Sequence, residues 1–140
     1  MEFNLKILEK NDIPKALREI PQPPTKLYIA GKLPPADTVY LAVVGSRKCT
    51  NYGKDMTRKL LLGLKGHPIA IVSGLAVGID ALSHQVALEA GLTAVAFPGS
   101  GISEKVFFPQ SSLNLAHEII KKGGCILSEF EPDLKAAYYT

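Results

Sequence analysis

Residues 39–53 read VYLAVVGSRKCTNYG, and this stretch decides the fold prediction. Its first six residues form a nearly unbroken apolar run, which is typical of a strand buried on both faces of a sheet. The run ends at Gly45, and Ser46 and Arg47 follow at once. A glycine, a hydroxyl and a fixed cation at the tip of a buried strand indicate that an anionic ligand binds there.

The chain after this stretch alternates between helical and strand patterns. Residues 52–66 carry apolar side chains at helical spacing, and residues 69–74 form a second apolar run. A second helix, a third strand, a third helix and a fourth strand are predicted at 78–91, 93–101, 111–124 and 125–130. This alternation predicts an α/β fold, a doubly wound and mainly parallel sheet with helices on both faces.

The first 38 residues lack this regular alternation. Residues 1–20 predict one or two short helices, and the proline-rich stretch 21–24 interrupts the pattern. Residues 26–33 (KLYIAGKL) predict a short strand or an extended arm. We therefore divide the chain into a helical and extended lead-in, 1–38, and a core, 39–140.

Composition and charge limit the classes of function. The 140 residues are 46% apolar, and 16 basic against 13 acidic side chains give a net charge of +3, which only weakly favours an anionic partner. Cys49 and Cys125 show no metal-binding spacing, so we expect no metal, no disulfide framework and no cofactor. No apolar run reaches the roughly 18 residues of a membrane span, and the N-terminus lacks a signal-peptide pattern. We expect a cytoplasmic protein with no membrane partner.

The residues that could bind a ligand follow the carboxyl ends of the predicted strands, where ligands bind in open parallel sheets. Glycine turns that lead into helix N-termini suit phosphate, and Arg47 and Lys48 add a bidentate donor and a point charge. The strand-end residues are Gly45, Ser46, Arg47 and Lys48; Ser73, Gly74, Leu75, Ala76, Gly78 and Asp80; and Gly99, Ser100 and Gly101. Each of these strand-end segments, which we call tips, could by itself be only a tight turn. The hypothesis of a ligand site depends on several tips meeting at one edge of one sheet.

Two further pairs of residues allow alternative interpretations. Asp80 and His84 share a predicted helix face, either as a catalytic couple or, as we favour, to order the helix start. Phe107 and Phe108 either stack on a base or lie wedged under a loop. No nucleophile elbow, Walker loop or dinucleotide fingerprint occurs, so no catalytic residue is assigned and an enzyme is not expected.

Four stretches together resemble the DNA-processing protein A family, also called DprA or Smf. They are VVGSRKCTNYG, VSGLAVGIDALSH, ALEAGLTAVAFPGSG and CILSEF, in this order, and the likeness covers roughly residues 14–132. The resemblance implies an extended Rossmann-like fold and non-enzymatic binding of single-stranded DNA. It also implies loading of the RecA recombinase during DNA uptake and recombination, and commonly a homodimer.

The resemblance also assigns roles by position. Gly45, Ser46 and Arg47 would cradle a phosphate, the loop Ser73, Gly74, Leu75 and Ala76 would lie beside it, Gly78 and Asp80 would shape the helix start, and Gly99, Ser100 and Gly101 would complete the rim. The sequence departs from the family at Val77, where a basic residue is usual, and at Phe108 and Ser112. The family continues beyond SEF into further segments, so we expect a minimal or truncated member.

The sequence also allows two other classes of function. Related Rossmann-like folds bind free nucleotides, and some hydrolyse nucleoside monophosphates with a glycine-rich loop to which Pro98–Gly101 bears a faint likeness. The alternatives to a DNA-binding module are therefore a nucleotide-binding sensor and a nucleoside monophosphate phosphoribohydrolase-like enzyme.

Overall fold

The structure, a computed structural model, describes residues 2–137. Its strands are β1 (Leu5–Glu9), β2 (Lys26–Gly31), β3 (Val39–Ala42), β4 (Ile69–Ser73), β5 (Thr93–Ala96) and β6 (Cys125–Ser128). Its α-helices are α1 (Lys15–Arg18), α2 (Asn51–Leu62), α3 (Ile79–Glu89) and α4 (Leu113–Lys121), and short 3-10 turns lie at Lys10–Asp12 and Gln110–Ser112. None of the helices within residues 2–137 is long and apolar enough to cross a membrane.

The six strands form one sheet in the order β1-β2-β6-β5-β4-β3. Strands β3 to β6 pair in parallel, and β2 and β1 extend the sheet in antiparallel orientation beyond β6. The predicted α/β class with a mainly parallel sheet is confirmed. The carboxyl ends of β3 to β6 lie along one rim, where ligands of such sheets bind.

Helices cover both faces of the sheet, but unequally. The parallel strands advance in one direction from β3 to β6, and because crossovers are right-handed this places α2, α3 and α4 on the same face. Leu61, Val86 and Ile119 of these helices share one buried core with the sheet. The short segment containing Ile13 and Leu17 packs on the other face.

Strand β3 lies at the edge of the sheet, and here the prediction of a strand buried on both faces is wrong. Val39 is 59% exposed and Val44, just beyond the strand, is 76% exposed, whereas Ile71 of the neighbouring β4 is fully buried. The difference arises because β3 pairs with β4 on one side only among the described residues. An apolar run alone does not distinguish an edge strand from a central one.

The lead-in is built into the same sheet. Residues Leu5–Glu9, which the sequence predicts as helical, form β1 and pair with β2 in the register Leu5 to Ala30. Strand β2 in turn pairs with β6, placing Ile29 opposite Leu127. Long-range pairing therefore overrides the local helical preference of the first residues.

Candidate nucleic-acid interface

A concavity of about 510 Å³ opens beside the carboxyl ends of β3 and β4. Three connections and the exposed side of α3 form its walls. The lining residues are Arg47, Lys48, Cys49, Lys54, Val77, Gly78, Ala81, Leu82, Gln85, Ser111, Ser112 and Leu115. We call this surface the basic concavity, because its charged members are all cations.

The charge of the basic concavity comes from Arg47, Lys48 and Lys54, and no carboxylate lies among its lining residues. Within residues 2–137, no acidic side chain forms an ion pair with any of these three cations. A concave surface lined by one sign of charge concentrates ligands of the opposite sign. This surface therefore attracts an anion.

The loop between β3 and α2 holds its shape through its own polar groups. The backbone N–H of Lys48 donates to Ser46 Oγ at 3.0 Å, and the N–H of Gly53 donates to Oγ1 of Thr50, which caps α2, at 3.0 Å. Ser46 still has its hydroxyl proton to donate. Arg47 lies between Ser46 and Lys48, within the first of these two hydrogen-bonded turns, and is exposed.

Asp80 binds the two amides that the sequence analysis assigned to phosphate. Its carboxylate accepts hydrogen bonds from the N–H of Gly45 at 3.3 Å and from the N–H of Gly74 at 3.2 Å. Asp80 is itself only 9% exposed. Gly45 and Gly74 therefore do not present free amides to a ligand, and Asp80 positions the two strand ends.

Gly78 joins the first strand-end loop to the start of α3. The N–H of Ile79 donates to the carbonyl of Ser46 at 3.2 Å. Gly78 has φ +90°, and a Cβ at this position would lie 2.3 Å from the same carbonyl oxygen. Close approach of the two loops therefore requires glycine here.

The loop after β4 contributes less to the surface than predicted. Leu75 is fully buried, and its carbonyl accepts a hydrogen bond from Ser112 Oγ at 2.6 Å. Ser73 is 4% exposed, and its Oγ has no hydrogen-bond partner among residues 2–137. Ala76 is half-buried. Ser73 and Leu75 shape the loop from beneath and do not contact a surface ligand, which corrects their assignment.

The third tip lies outside the basic concavity. Ser100 and Gly101 are buried, and the Gly101 N–H donates to the carbonyl of Leu134 at 2.9 Å. A Cβ on Gly101 would meet the carbonyl oxygen of Glu131 at 2.1 Å. The segment after β6 thus covers this tip, and the predicted ligand contacts of Ser100 and Gly101 are wrong. Gly99 is exposed but lines a separate small pocket.

The two phenylalanines are part of the protein's own packing. Phe107 is 2% exposed, and its ring centroid lies 5.8 Å from that of Phe3. Base stacking by Phe107 is therefore excluded by its burial. Phe108 is half-buried, and its N–H donates to Ser100 Oγ at 3.0 Å.

His84 does not form a catalytic couple with Asp80. It is fully buried, and its Nε2 donates to the carbonyl of Val95 at 3.1 Å. Burial lowers the pKa of His84 to about 4, so the ring is neutral near pH 7. His84 is closed off from solvent, and its hydrogen bond joins α3 to β5, so that it supports the fold.

Of the residues that line the basic concavity, only Arg47, Lys48 and Gly78 were predicted from the sequence. The exposed polar side chains that were not predicted are Lys54, Gln85 and Ser111. Gln85 could have been found, since it lies seven residues after Gly78 and so on the same side of α3. Lys54 stands in the first turn of α2, directly after the predicted loop. Across residues 2–137, no group of three or more His, Cys, Asp or Glu side chains could hold a metal ion.

Together, the fold and the basic concavity define an α/β protein with an anion-attracting surface at its strand ends. Residues 4–140 match the family model of DNA recombination-mediator protein A. The chain belongs to this family, whose members are named DprA or Smf, and the resemblance noted from the sequence is confirmed.

Relatives of known sequence support this assignment. DNA processing protein DprA of Streptococcus pneumoniae (strain ATCC BAA-255 / R6) is 37% identical over 119 residues, which are 85% of this chain and 41% of that protein. Protein Smf of Escherichia coli (strain K12) is 34% identical over 116 residues, covering 83% and 30% respectively. The chain thus spans well under half the length of these two relatives.

Two solved structures share the fold. DNA processing protein A from Helicobacter pylori, described for its unique single-stranded DNA binding mode, superimposes with a TM-score of 0.80 at 30% identity, over 98% of this chain and 61% of that chain. The X-ray structure of DprA from Streptococcus pneumoniae gives a TM-score of 0.79 at 32% identity, over 96% and 46%. The predicted Rossmann-like architecture agrees with both.

Proposed function

We propose that this chain binds the backbone of single-stranded DNA in the basic concavity and takes part in DNA recombination as a mediator. The observation that carries the proposal is the grouping of Arg47, Lys48 and Lys54 around one concave surface, which no carboxylate of the described residues lines. The relative from Helicobacter pylori, which has a single-stranded DNA binding mode and the same fold, supports it.

The chemistry of binding follows from the side chains present. The guanidinium of Arg47 forms two parallel hydrogen bonds to a phosphodiester, and the Ser46 hydroxyl donates a third from the same loop. Lys48 and Lys54 contribute point charges. Contacts to the backbone carry little sequence information, and they release counterions, so affinity falls as salt rises.

The proposed role is binding without catalysis. Glycine-rich strand-end chemistry would also suit a nucleotide sensor or a phosphoribohydrolase-like enzyme, but the loop on which that alternative depends, Pro98–Gly101, has Ser100 fully buried. Incubation with nucleoside monophosphates should release no free base above the level without protein. Release of base at the rate of an enzyme would favour the alternative.

We extend the proposal to delivery of the bound strand to the RecA recombinase, with a homodimer as the working form. The support is the recombination-mediator family to which the chain belongs. Sedimentation of the chain should show a dimer. In the presence of the chain, RecA should assemble faster on DNA that is already coated with single-strand-binding protein.

A binding curve tests the DNA site directly. A fluorescently labelled thymidine oligomer is titrated at two salt concentrations with wild type, Arg47→Ala and Arg47→Glu. We expect each variant to lose about tenfold or more in affinity, and the salt slope of Arg47→Ala to fall by about one. Lys121→Ala is the matched control, because Lys121 is exposed at the end of α4, just before the amino end of β6, and does not line the concavity. Wild-type affinity in Arg47→Glu would overturn the proposed site.

A further inference from the structure

We propose that a second phosphate-binding site lies at the other edge of the sheet, far from the basic concavity. It is a concavity of about 580 Å³ between the end of β1, the start of β2 and α1, and its charged members are Glu9, Lys10, Arg18 and Lys26. We call it the edge concavity. Its ligand is a phosphodiester further along the DNA strand that occupies the basic concavity, so the inference rests on the proposed function.

The edge concavity opens at the same rim of the sheet as the basic concavity. Strand β2 runs antiparallel to β6, with Tyr28 opposite Ser128, so the start of β2 lies beside the carboxyl end of β6. Strand β1 ends at the same place, with Glu9 opposite Lys26. Strands β1 and β3 are the two edges of the sheet, and neighbouring strands lie about 4.8 Å apart, so the two concavities are on the order of 20 Å apart. One strand of DNA can therefore reach both.

Cations outnumber acids in the edge concavity by three to one. Lys10, Arg18 and Lys26 are among its described lining residues, and Glu9 is the one carboxylate among them. The ammonium of Lys26 lies 3.6 Å from a carboxylate oxygen of Glu131, whereas within residues 2–137 neither Lys10 nor Arg18 forms an ion pair. The unpaired positive charge therefore comes from Lys10 and Arg18, and it favours an anion.

Arg18 is held in one orientation while its outer donors stay available. Its Nε donates to the carbonyl of Ile13 at 3.0 Å, and Ile13 is only 1% exposed. The terminal NH₂ groups of the guanidinium form no hydrogen bond with any of residues 2–137. Two such donors match two oxygens of one phosphate. Because the bond to Ile13 already orders the side chain, binding a ligand costs less conformational entropy.

Lys10 has a backbone conformation that suits glycine better than lysine. Its φ is +50°, and among the non-glycine residues of 2–137 only Leu75 also has a positive φ. Glycine adopts such angles without strain, and strained residues of other types cluster at functional sites. Lys10 directly follows β1 at the rim. A lysine at a position that favours glycine indicates that its ammonium is used.

The rim between the two concavities does not attract phosphate. Glu129 follows β6 and is exposed, and Glu131 is exposed as well. The carboxylate of Glu131 accepts a hydrogen bond from the Tyr28 hydroxyl at 2.7 Å, which keeps it at this part of the rim. We therefore expect two separate phosphate contacts, the second of which only a longer strand can make.

Two thymidine oligomers of different length test the edge concavity. A labelled trimer is too short to span both concavities, whereas an oligomer of about 15 nucleotides lies within the site sizes of roughly 4–16 nucleotides that are typical of single-strand-binding domains. Arg18→Ala should weaken binding of the long oligomer about fivefold and lower its salt slope by about one, with no change for the trimer. Lys15→Ala is the matched control, because Lys15 is an exposed cation of the same helix that does not line the edge concavity.

Lys10→Gly separates binding from folding. Glycine removes the ammonium and also relieves the positive φ. We expect this variant to unfold at the same urea concentration as wild type or a higher one, and yet to bind the long oligomer about threefold or more less tightly. Unchanged affinity for the long oligomer would remove Lys10 from the site.

The outcomes separate this inference from the proposed function. If Arg18→Ala and Lys10→Gly both bind the long oligomer like wild type while Arg47→Glu weakens it, the second site is overturned and the proposed function stands. Equal weakening of the trimer and the long oligomer by Arg18→Ala would also overturn the second site. If inorganic phosphate at constant ionic strength abolishes the effect of Arg18→Ala, the site takes free phosphate and its assignment to DNA is overturned. If neither oligomer binds wild type, both proposals are overturned.

Discussion

The carboxylate of Asp80 accepts the backbone N–H of Gly45 through Oδ1 at 3.3 Å, and its other oxygen accepts that of Gly74 at 3.2 Å. Gly45 follows the end of β3, Gly74 follows β4, and Asp80 belongs to the first turn of α3. One buried carboxylate thus fastens three elements at the rim. It fixes the distance between the strand ends on which the basic concavity is built.

Replacement of Asp80 by alanine should destabilise the fold. The change leaves the amides of Gly45 and Gly74 without their acceptor, and hydrogen bonds to a charged group contribute about 1.5–3 kcal/mol each. We expect the free energy of unfolding in urea to fall by about 2 kcal/mol or more. Asp55→Ala, which removes an exposed acid of α2, is the control and should change little. Equal unfolding midpoints for the two variants would contradict this account.

Gly78→Ala should cost more than a positive φ alone explains. Gly78 and Gly66 have nearly the same φ, +90° and +89°, but a Cβ on Gly66 meets nothing within 4 Å. Gly66→Ala therefore measures the cost of a positive φ without a clash, about 1 kcal/mol. Gly78 also has a ψ of −133°, a combination almost restricted to glycine, and its Cβ would clash with the carbonyl oxygen of Ser46, so Gly78→Ala should destabilise further and weaken oligonucleotide binding. Indistinguishable unfolding curves for the two variants would mean that the loops do not approach so closely.

Acid should destabilise the protein through His84. Burial holds its pKa at about 4 in the folded state, against about 6.5 in the unfolded chain, so the unfolded state binds more protons in this range. Stability is therefore fully present above pH 6.5 and is lost as the pH falls towards 4. Lowering the pH from 7 to 5 should therefore reduce the free energy of unfolding by about 2 kcal/mol through His84.

Urea unfolding at pH 7 and pH 5 measures this loss. His84→Gln should show a smaller drop between the two pH values than wild type, whereas His67→Gln, which alters an exposed histidine, should not. A drop in His84→Gln as large as that of wild type would show that other groups cause the pH dependence.

The local patterns predicted most of the core of the fold. Helices α2, α3 and α4 and strands β4 to β6 lie where the apolar pattern predicted them. The reason is that each helix buries one apolar face and each strand is a short apolar run, so that the local sequence carries the signal. Strand β1 was missed because its conformation depends on pairing with β2, whose register joins Leu5 to Ala30. Long-range partners are not encoded in the periodicity of a short segment.

The candidate site, like the fold, was predicted from the sequence only in part. Arg47 and Lys48 were predicted from their place after an apolar run, and the structure puts both in the basic concavity. Their contact with DNA stays a prediction. Ser100 was assigned to the same rim by equal reasoning, but residues far along the chain fold back over it. Sequence therefore identifies which residues reach the strand ends, and tertiary packing decides which of them stay open.

The edge position of β3 gives the last prediction. Leu41 of β3 and Ile71 of β4 belong to similar apolar runs and are paired in register, yet Leu41 is 40% exposed and Ile71 is fully buried. Ile71→Ala should cost about 2–5 kcal/mol, because it removes packed atoms and leaves a cavity that the sheet cannot close. Leu41→Ala should cost less than about 1.5 kcal/mol, since much of its side chain already contacts water. Urea unfolding of both variants checks the contrast, and an equal loss would show that a further surface covers β3 in solution.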